Sequence, residues 1–215
     1  MLNRIPYIFV FLFILATACE QKADEDKLAV PIPILNENFD SNKLGWAEEY
    51  TEAHKTEIKN GNLYIFSYDT TAVQSSNGPT DNSFLLGFPN SYEISSSITL
   101  MTHSRHARFG ILLVSSSLEY KFSVSDSGTA AVMEWDANRK TEIRLFTHPL
   151  NTSRDTGMKH LYFEINVHYR NFEFYVNNEI MGEGILNSRS WEGIRLFTTT
   201  GSSIAVDYLR IKKVD

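Results

Sequence analysis

Alternation of apolar and polar residues with a period of two dominates the chain after its first 60 residues. In residues 161–166, for example, Leu161, Phe163 and Ile165 alternate with polar side chains. This pattern places the two kinds of side chain on opposite faces of a strand. The same pattern predicts eleven strands, which are Leu63–Tyr68, Tyr92–Met101, Phe109–Val114, Leu118–Val124, Ala130–Trp135, Glu142–Phe146, His160–His168, Phe172–Val176, Ile180–Ile185, Gly193–Thr198 and Ile204–Lys212.

Turn residues such as Asn60-Gly61 and Thr200-Gly201 separate these runs. No segment keeps a helical period for more than two turns, and no repeat of fixed length is visible. The polar segments Asp136–Glu142 and Asn151–Lys159 are expected to be long loops. Short strands at regular spacing with Gly/Asn turns predict an all-β sandwich or barrel.

The start of the chain has the pattern of a cleaved secretory leader. Arg4 precedes an apolar run over residues 7–15, which is shorter than the roughly 20 residues of a transmembrane helix. The stretch Ala16-Thr17-Ala18-Cys19 resembles the lipobox of bacterial lipoproteins. The resemblance implies that residues 1–18 are removed and that Cys19 becomes the lipidated first residue. The alternative is a plain secretory signal with an incidental cysteine.

Residues 20–27 are polar and charged, so they are expected to form a flexible tether. Gln21-Lys22 followed by acids resembles the export signal that sends lipoproteins to the cell surface in some Gram-negative bacteria. We therefore expect an outer-membrane lipoprotein at the cell surface, with the periplasmic face as the alternative. The predicted division is a leader at 1–18, a lipidated cysteine and tether at 19–33, and a β-sandwich at 34–215.

Charge and cysteine content narrow the classes of partner. The chain carries 20 Lys and Arg against 26 Asp and Glu, a formal net charge of −6, which argues against nucleic acid. Membrane contact is expected through the lipid anchor only. Because Cys19 is the only cysteine, its lipidation leaves no thiol for a disulfide or a thiolate metal site.

Motifs along the folded part resemble those of the concanavalin A-like lectin/glucanase domains of the laminin-G-like type. The opening Asn38-Phe39-Asp40 with Leu44-Gly45-Trp46, the hairpin Lys59–Tyr64 and the last strand Ile204–Ile211 match in order. The resemblance implies a jelly-roll sandwich of two antiparallel sheets and, as the commonest activity, glycan binding. Fold alone does not establish that activity.

Trp135 is the candidate stacking ring for a sugar. It precedes a polar segment whose Asp136 and Arg139, with Glu134 before it, supply partners for sugar hydroxyls. Together Trp135, Glu134, Asp136 and Arg139 form the predicted glycan site. The alternative is a tryptophan that caps the edge of the sandwich.

Trp46 and Trp191 are expected in the core, because one lies in the opening motif and the other precedes an interior strand. The basic stretch His103–Arg108 is expected to be a solvated loop that could contact an acidic glycan or a partner.

Glu134 and Asp136 also invite an enzymatic interpretation, since retaining glycosidases use two carboxyl groups roughly 5 Å apart. The resemblance to laminarinase-like enzymes implies three acids on one strand face, but Asn138 and Arg139 occupy the third position. Asn166-Val167-His168 weakly resembles an element of jelly-roll polysaccharide lyases. Whether the protein is an enzyme stays open, with binding favoured.

The family resemblance also implies a structural calcium ion near the paired terminal strands. Asp207 matches the family's late-strand acid, and Asp40 or Glu37 would accompany it. Hard cations prefer such oxygen ligands. The alternative is that Asp207 bonds a neighbouring backbone donor.

The sequence is therefore compatible with three functions. The first is a surface-anchored domain that binds a polysaccharide or oligosaccharide without catalysis. The second is a jelly-roll glycoside hydrolase or polysaccharide lyase. The third is a structural or protein-binding lipoprotein, with an outer-membrane protein as partner.

Overall fold

A computed structural model describes residues 33–68, 74–82, 89–102, 107–150, 159–188, 190–199 and 201–214. Cys19, the leader and the tether up to residue 32 lie outside the described residues, as does His103–His106 of the basic stretch. The predicted division of the chain and the lipid anchor therefore stay predictions.

The described residues form fifteen strands. Their bounds are β1 Pro33–Glu37, β2 Glu49–Tyr50, β3 His54–Lys59, β4 Asn62–Ser67, β5 Gln74–Asn77, β6 Ser91–Thr102, β7 Arg108–Val114, β8 Leu118–Ser125, β9 Thr129–Asp136, β10 Thr141–Pro149, β11 Lys159–His168, β12 Asn171–Val176, β13 Glu179–Ile185, β14 Gly193–Thr199 and β15 Ser203–Lys213. All eleven predicted strands are confirmed. The pattern missed β1, β2, β3 and β5.

Strands β3 and β5 show why four strands were missed. β3 reads His-Lys-Thr-Glu-Ile-Lys, and β5 reads Gln-Ser-Ser-Asn, so neither has an apolar alternation. Both nevertheless bury polar side chains, including Thr56, Ser75 and Asn77. Pairing with β4 and β14 provides the hydrogen-bond partners of their backbone groups. No pattern in the residues of β3 and β5 themselves indicates this pairing.

The strands form two antiparallel sheets. One sheet has nine strands in the order β13-β12-β11-β6-β15-β4-β3-β2, and β1 pairs with β15. The other has six strands in the order β10-β9-β8-β7-β14-β5. The chain crosses between the sheets repeatedly, as in a jelly roll, so the predicted two-sheet antiparallel jelly-roll sandwich is confirmed. Within the described residues, no helix is long and apolar enough to cross a membrane.

The core lies between the two sheets and is rich in aromatic rings. Phe122 of the six-stranded sheet meets Phe172 and Phe174 of the other sheet edge-on, at 5.2 and 5.5 Å between centroids. Phe109 meets Phe163 in the same way at 5.8 Å. Residues that alternate with these core side chains face away from the other sheet. On the six-stranded sheet we call this side the outer face.

Candidate functional site

The strand register sets one row of side chains across the outer face of the six-stranded sheet. Glu142, Trp135, Glu119 and Val114 are cross-strand neighbours on β10, β9, β8 and β7. Trp135 is half-buried in this row. β9 lies between β8 and β10, so Trp135 does not lie on an edge strand of its sheet. A ring in this position can receive a flat apolar ligand surface.

The other two tryptophans lie in the core, as predicted. Trp46 is 1% exposed and Trp191 is 6% exposed. Trp191 donates its Nε1–H to the Tyr92 hydroxyl at 2.7 Å. These two rings are therefore closed to a ligand.

Glu134 lies on the opposite side of β9 from Trp135, in the sandwich interior. Its carboxylate accepts hydrogen bonds from the Tyr120 hydroxyl and from Asn187 Nδ2, the latter at 2.9 Å. The Asn187 backbone N–H in turn donates to the Tyr120 oxygen at 2.6 Å. With 6% of its surface exposed, Glu134 stabilises the junction of β8, β9 and the segment after β13.

Asp136 and Arg139 belong to a tight turn between β9 and β10. The Asp136 carboxylate accepts the backbone N–H groups of Asn138 and Arg139 at 2.9 and 3.1 Å, and it pairs with Arg139 Nε at 3.5 Å. Lys140 completes the turn with a φ of 53°. The expected long loop Asp136–Glu142 is therefore wrong, because β10 already begins at Thr141.

The four residues of the predicted glycan site do not form one surface. Trp135 lies on the outer face, Glu134 lies in the core, and Asp136 is committed to the turn. The Arg139 side chain is 78% exposed on that turn. Alternation along β9 separates residues 134 and 135, since successive side chains point to opposite sides.

A surface cleft adjoins the Trp135 row. Its volume is about 420 Å³, and Val114 belongs both to the cleft and to the row. Ser76, Thr80, Asn82 and Glu192 supply polar groups to its wall. Val114 lies two strands from Trp135, which corresponds to about 10 Å between their backbones. Sequence reasoning missed this cleft because β5, which forms one wall, has no apolar pattern.

The outer face also carries cations. Arg144 is opposite Met133, and Met133 is opposite Lys121, so these side chains form the next row. Arg108 begins β7 and does not belong to a solvated loop, which corrects the expectation for the end of the basic stretch. Burial and, after it, the charge of Arg144 lower the pKa of the Arg108 guanidinium.

Part of the outer face is closed to solvent. Leu112, Ser123 and Ala131 are at most 1% exposed, although they do not face the other sheet. Glu142 and Arg144 are exposed, and Trp135 is half-buried. The side of the face formed by β9 and β10 is therefore the part that a large ligand can reach.

The residues proposed for calcium lie apart from this face. Asp207 is exposed at a bulge of β15 between Val206 and Tyr208. The Asp40 carboxylate accepts a hydrogen bond from Asn38 Nδ2. Among the described residues, no group of three or more His, Cys, Asp or Glu side chains is placed to hold a metal ion. The calcium site at Asp207 and Asp40 stays a prediction.

No protein-family model matches the chain, and no curated protein matches it. Several solved structures, however, are similar to this one. The chain resembles a protein of unknown function with a galectin-like fold from Bacillus subtilis, with a TM-score of 0.65 and 6% identity over 84% of this chain and 96% of that chain.

Two glycan-degrading enzymes are also similar in structure. One is a GlcNAcα1-4Gal-releasing endo-β-galactosidase from Clostridium perfringens, with a TM-score of 0.62 and 11% identity over 88% of this chain and 64% of that chain. The other is the catalytic domain of an endo-1,3-β-glucanase from Thermotoga petrophila, with a TM-score of 0.60 and 11% identity over 86% of this chain and 99% of that chain. The chain thus spans less than two thirds of the endo-β-galactosidase. At these identities the likeness establishes the jelly-roll fold alone.

Proposed function

We propose that this protein binds a glycan, without catalysis, on the outer face of its six-stranded sheet. The observation that carries the proposal is the position of Trp135, a half-buried indole on the outer face, in a row of side chains that ends at a polar cleft about 10 Å away. The apolar C–H face of a pyranose stacks on such a ring, while hydroxyl, amide and carboxylate groups bond the sugar hydroxyls. The jelly-roll neighbours that act on glycans support this proposal.

The position of Glu134 favours binding over the hydrolase interpretation of the Glu134–Asp136 pair. Both carboxylates are engaged by groups of the protein itself, one in the core and one in a turn. Neither lies on the face that presents Trp135. Glu134 is therefore assigned to stability in this proposal, and Trp135 to ligand contact.

Replacing Trp135 with Ala is expected to weaken glycan binding at least tenfold. An aromatic side chain contributes a large contact area, and a loss of about 1.4 kcal/mol already corresponds to a factor of ten in Kd. The purified full-length protein would be screened on a glycan array and the best ligand titrated by calorimetry. Tyr50→Ala serves as the control, because Tyr50 is 77% exposed on β2 of the other sheet.

Absence of binding to every arrayed glycan would overturn the proposal, as would equal losses in Trp135→Ala and Tyr50→Ala. Incubation with the bound polysaccharide separates binding from cleavage. Release of new reducing ends or unsaturated sugars would overturn the non-catalytic assignment.

We also propose that Cys19 carries a lipid that holds the domain at the outer membrane, facing outward, where it captures glycan alone or with an outer-membrane protein. The lipobox-like stretch and the charged tether support this placement. In a Gram-negative host fed an alkyne fatty acid, the wild type should be labelled and Cys19→Ala should not. External protease should degrade the wild type on intact cells. A label that persists in Cys19→Ala contradicts the anchor, and protection from protease contradicts the outward orientation.

A further inference from the structure

Three basic side chains lie near one another on the outer face of the six-stranded sheet. Lys121 and Arg144 lie on either side of Met133, so one strand separates them and their backbones are about 10 Å apart. Arg108, on β7, reaches the neighbouring row from the part of the face that is closed to solvent, with its Nη1 at 3.4 Å from Ser123 Oγ. Ser123 is the next outward-facing residue after Lys121 on β8. Long side chains at these positions can meet around one bound group.

The cations of this cluster are incompletely paired. Lys121 forms an ion pair with Glu142 at 3.2 Å. Arg144 has no ion pair or hydrogen bond with any other residue that the structure describes. Arg108, which is half-buried, has the Ser123 hydroxyl but no carboxylate in contact within the same described ranges.

Arg108 and Arg144 are close enough for their positive charges to repel each other. The charge of Arg144 disfavours the charged form of Arg108, while Glu142 and Asp126 act in the opposite direction. Two like charges, one of them half-buried, oppose folding unless an anion compensates them. The whole chain has a net charge of −6, so this cluster is also opposite in sign to the protein that carries it.

We propose that Arg108, Lys121 and Arg144 bind a carboxylate or sulfate group of an acidic polysaccharide whose neighbouring sugar stacks on Trp135. This inference rests on the proposed function. Guanidinium groups offer paired N–H donors that match both oxyanions. Met133 and Trp135 are two positions apart on β9, so the row of Lys121 and Arg144 lies about 7 Å from the ring along the strand, and Arg108, which reaches Ser123 in the following row, lies further from it. That separation is comparable to the length of one sugar residue in a chain.

A matched set of polymers tests the charge preference. Dextran, carboxymethyl dextran and dextran sulfate share one backbone and differ in the anionic group. Binding to the full-length protein would be measured by affinity electrophoresis at about 0.15 M salt. We expect the two anionic polymers to bind the wild type at least tenfold more tightly than dextran. The stronger of the two identifies the preferred group.

Arg144→Gln is expected to weaken anionic binding at least fivefold. The control Lys59→Gln makes the same change in net charge at an exposed position of β3, in the other sheet, and should weaken binding less than twofold. Equal losses in the two variants would overturn the site, because they would show a general charge effect. No loss in Arg144→Gln would overturn it too.

Arg108→Met supplies a second readout that does not need a sugar. Sodium sulfate and sodium chloride would be compared at equal ionic strength by thermal unfolding. Sulfate should raise the Tm of the wild type more than that of Arg108→Met, and the variant should be at least as stable as the wild type in chloride. A lower Tm of Arg108→Met in chloride, with an unchanged sulfate response, would assign Arg108 a structural role and overturn the proposal.

The two proposals fail in different ways. Binding of neutral glycans that depends on Trp135, with no preference for the anionic polymers, would overturn the anion site and leave the glycan function intact. Sulfate binding that depends on Arg108 and Arg144, with no binding to any arrayed glycan, would leave an anion site and overturn the glycan function.

Discussion

Raising the pH above 10 is expected to destabilise this protein steeply, because Tyr92 and Tyr120 are buried. They are 3% and 0% exposed, and burial raises the pKa of both phenols far above the ordinary value of 10. Below pH 10 both are protonated in the folded and unfolded states, so stability does not depend on them. Above pH 10 the unfolded state loses these protons and the folded state keeps them.

The free energy of unfolding should therefore fall by about 1.4 kcal/mol per pH unit for each of the two tyrosines, or about 3 kcal/mol per unit together. Tyr162 adds to the same trend, since burial raises its pKa to about 12. Urea unfolding followed by circular dichroism at pH 9, 10, 11 and 12 measures the slope.

Tyr92→Phe should remove about half of the slope assigned to the two core tyrosines, and Tyr50→Phe should leave it unchanged because Tyr50 is 77% exposed. A free energy of unfolding that stays flat from pH 9 to 12 would contradict the prediction. An unchanged slope in Tyr92→Phe would do so as well. Comparison at pH 8 corrects for the hydrogen bond that Trp191 Nε1 loses in that variant.

Truncating Phe122 to Ala is expected to lower the free energy of unfolding by about 3–5 kcal/mol. Phe122 is fully buried, and its ring bridges the sheets by contacting Phe172 and Phe174 edge-on. Removal leaves a cavity between two sheets whose backbones are held by hydrogen bonds, so the space cannot collapse fully.

The matched control is Phe66→Ala in the nine-stranded sheet. Phe66 is half-buried, and Lys55 Nζ lies 5.4 Å from its ring centroid. A loss below about 1.5 kcal/mol is expected there, since the ring does not fill the space between the sheets. Urea midpoints at constant m-value measure both changes. Equal losses in the two variants would contradict the assignment of Phe122 to the centre of the core.

The strands could be predicted where the chain buries only one side of them. Along β11, apolar residues such as Phe163 and Ile165 alternate with polar ones, so burial and local pattern agree. Along β5 they do not agree, because Ser75 and Asn77 are buried polar residues. Their partners come from distant parts of the chain, including the Ala47 carbonyl that accepts from Asn77 Nδ2 at 2.8 Å. Local pattern cannot contain that information.

The candidate site, like the strands, could be predicted only in part from the sequence. Trp135 was recognisable as a ring next to polar residues, but grouping it with Glu134 ignored the alternation of side chains along β9. The burial of Glu134 depends on Tyr120 and Asn187, which approach it only in the folded chain. The basic cluster was not recognised from sequence, since Arg108, Lys121 and Arg144 belong to three strands.

What the sequence by itself determined is the set of apolar alternations, and with it the all-β class, because a period of two is a local property of each strand. The jelly-roll arrangement was implied by the resemblance of its motifs to concanavalin A-like domains. The sequence also contains the lipobox-like stretch at Cys19, which stays a prediction. Tertiary structure alone decided the register between strands. Register makes neighbours of outward side chains that lie far apart in the chain, and so it brings the Trp135 ring, a polar cleft and three basic side chains onto one face.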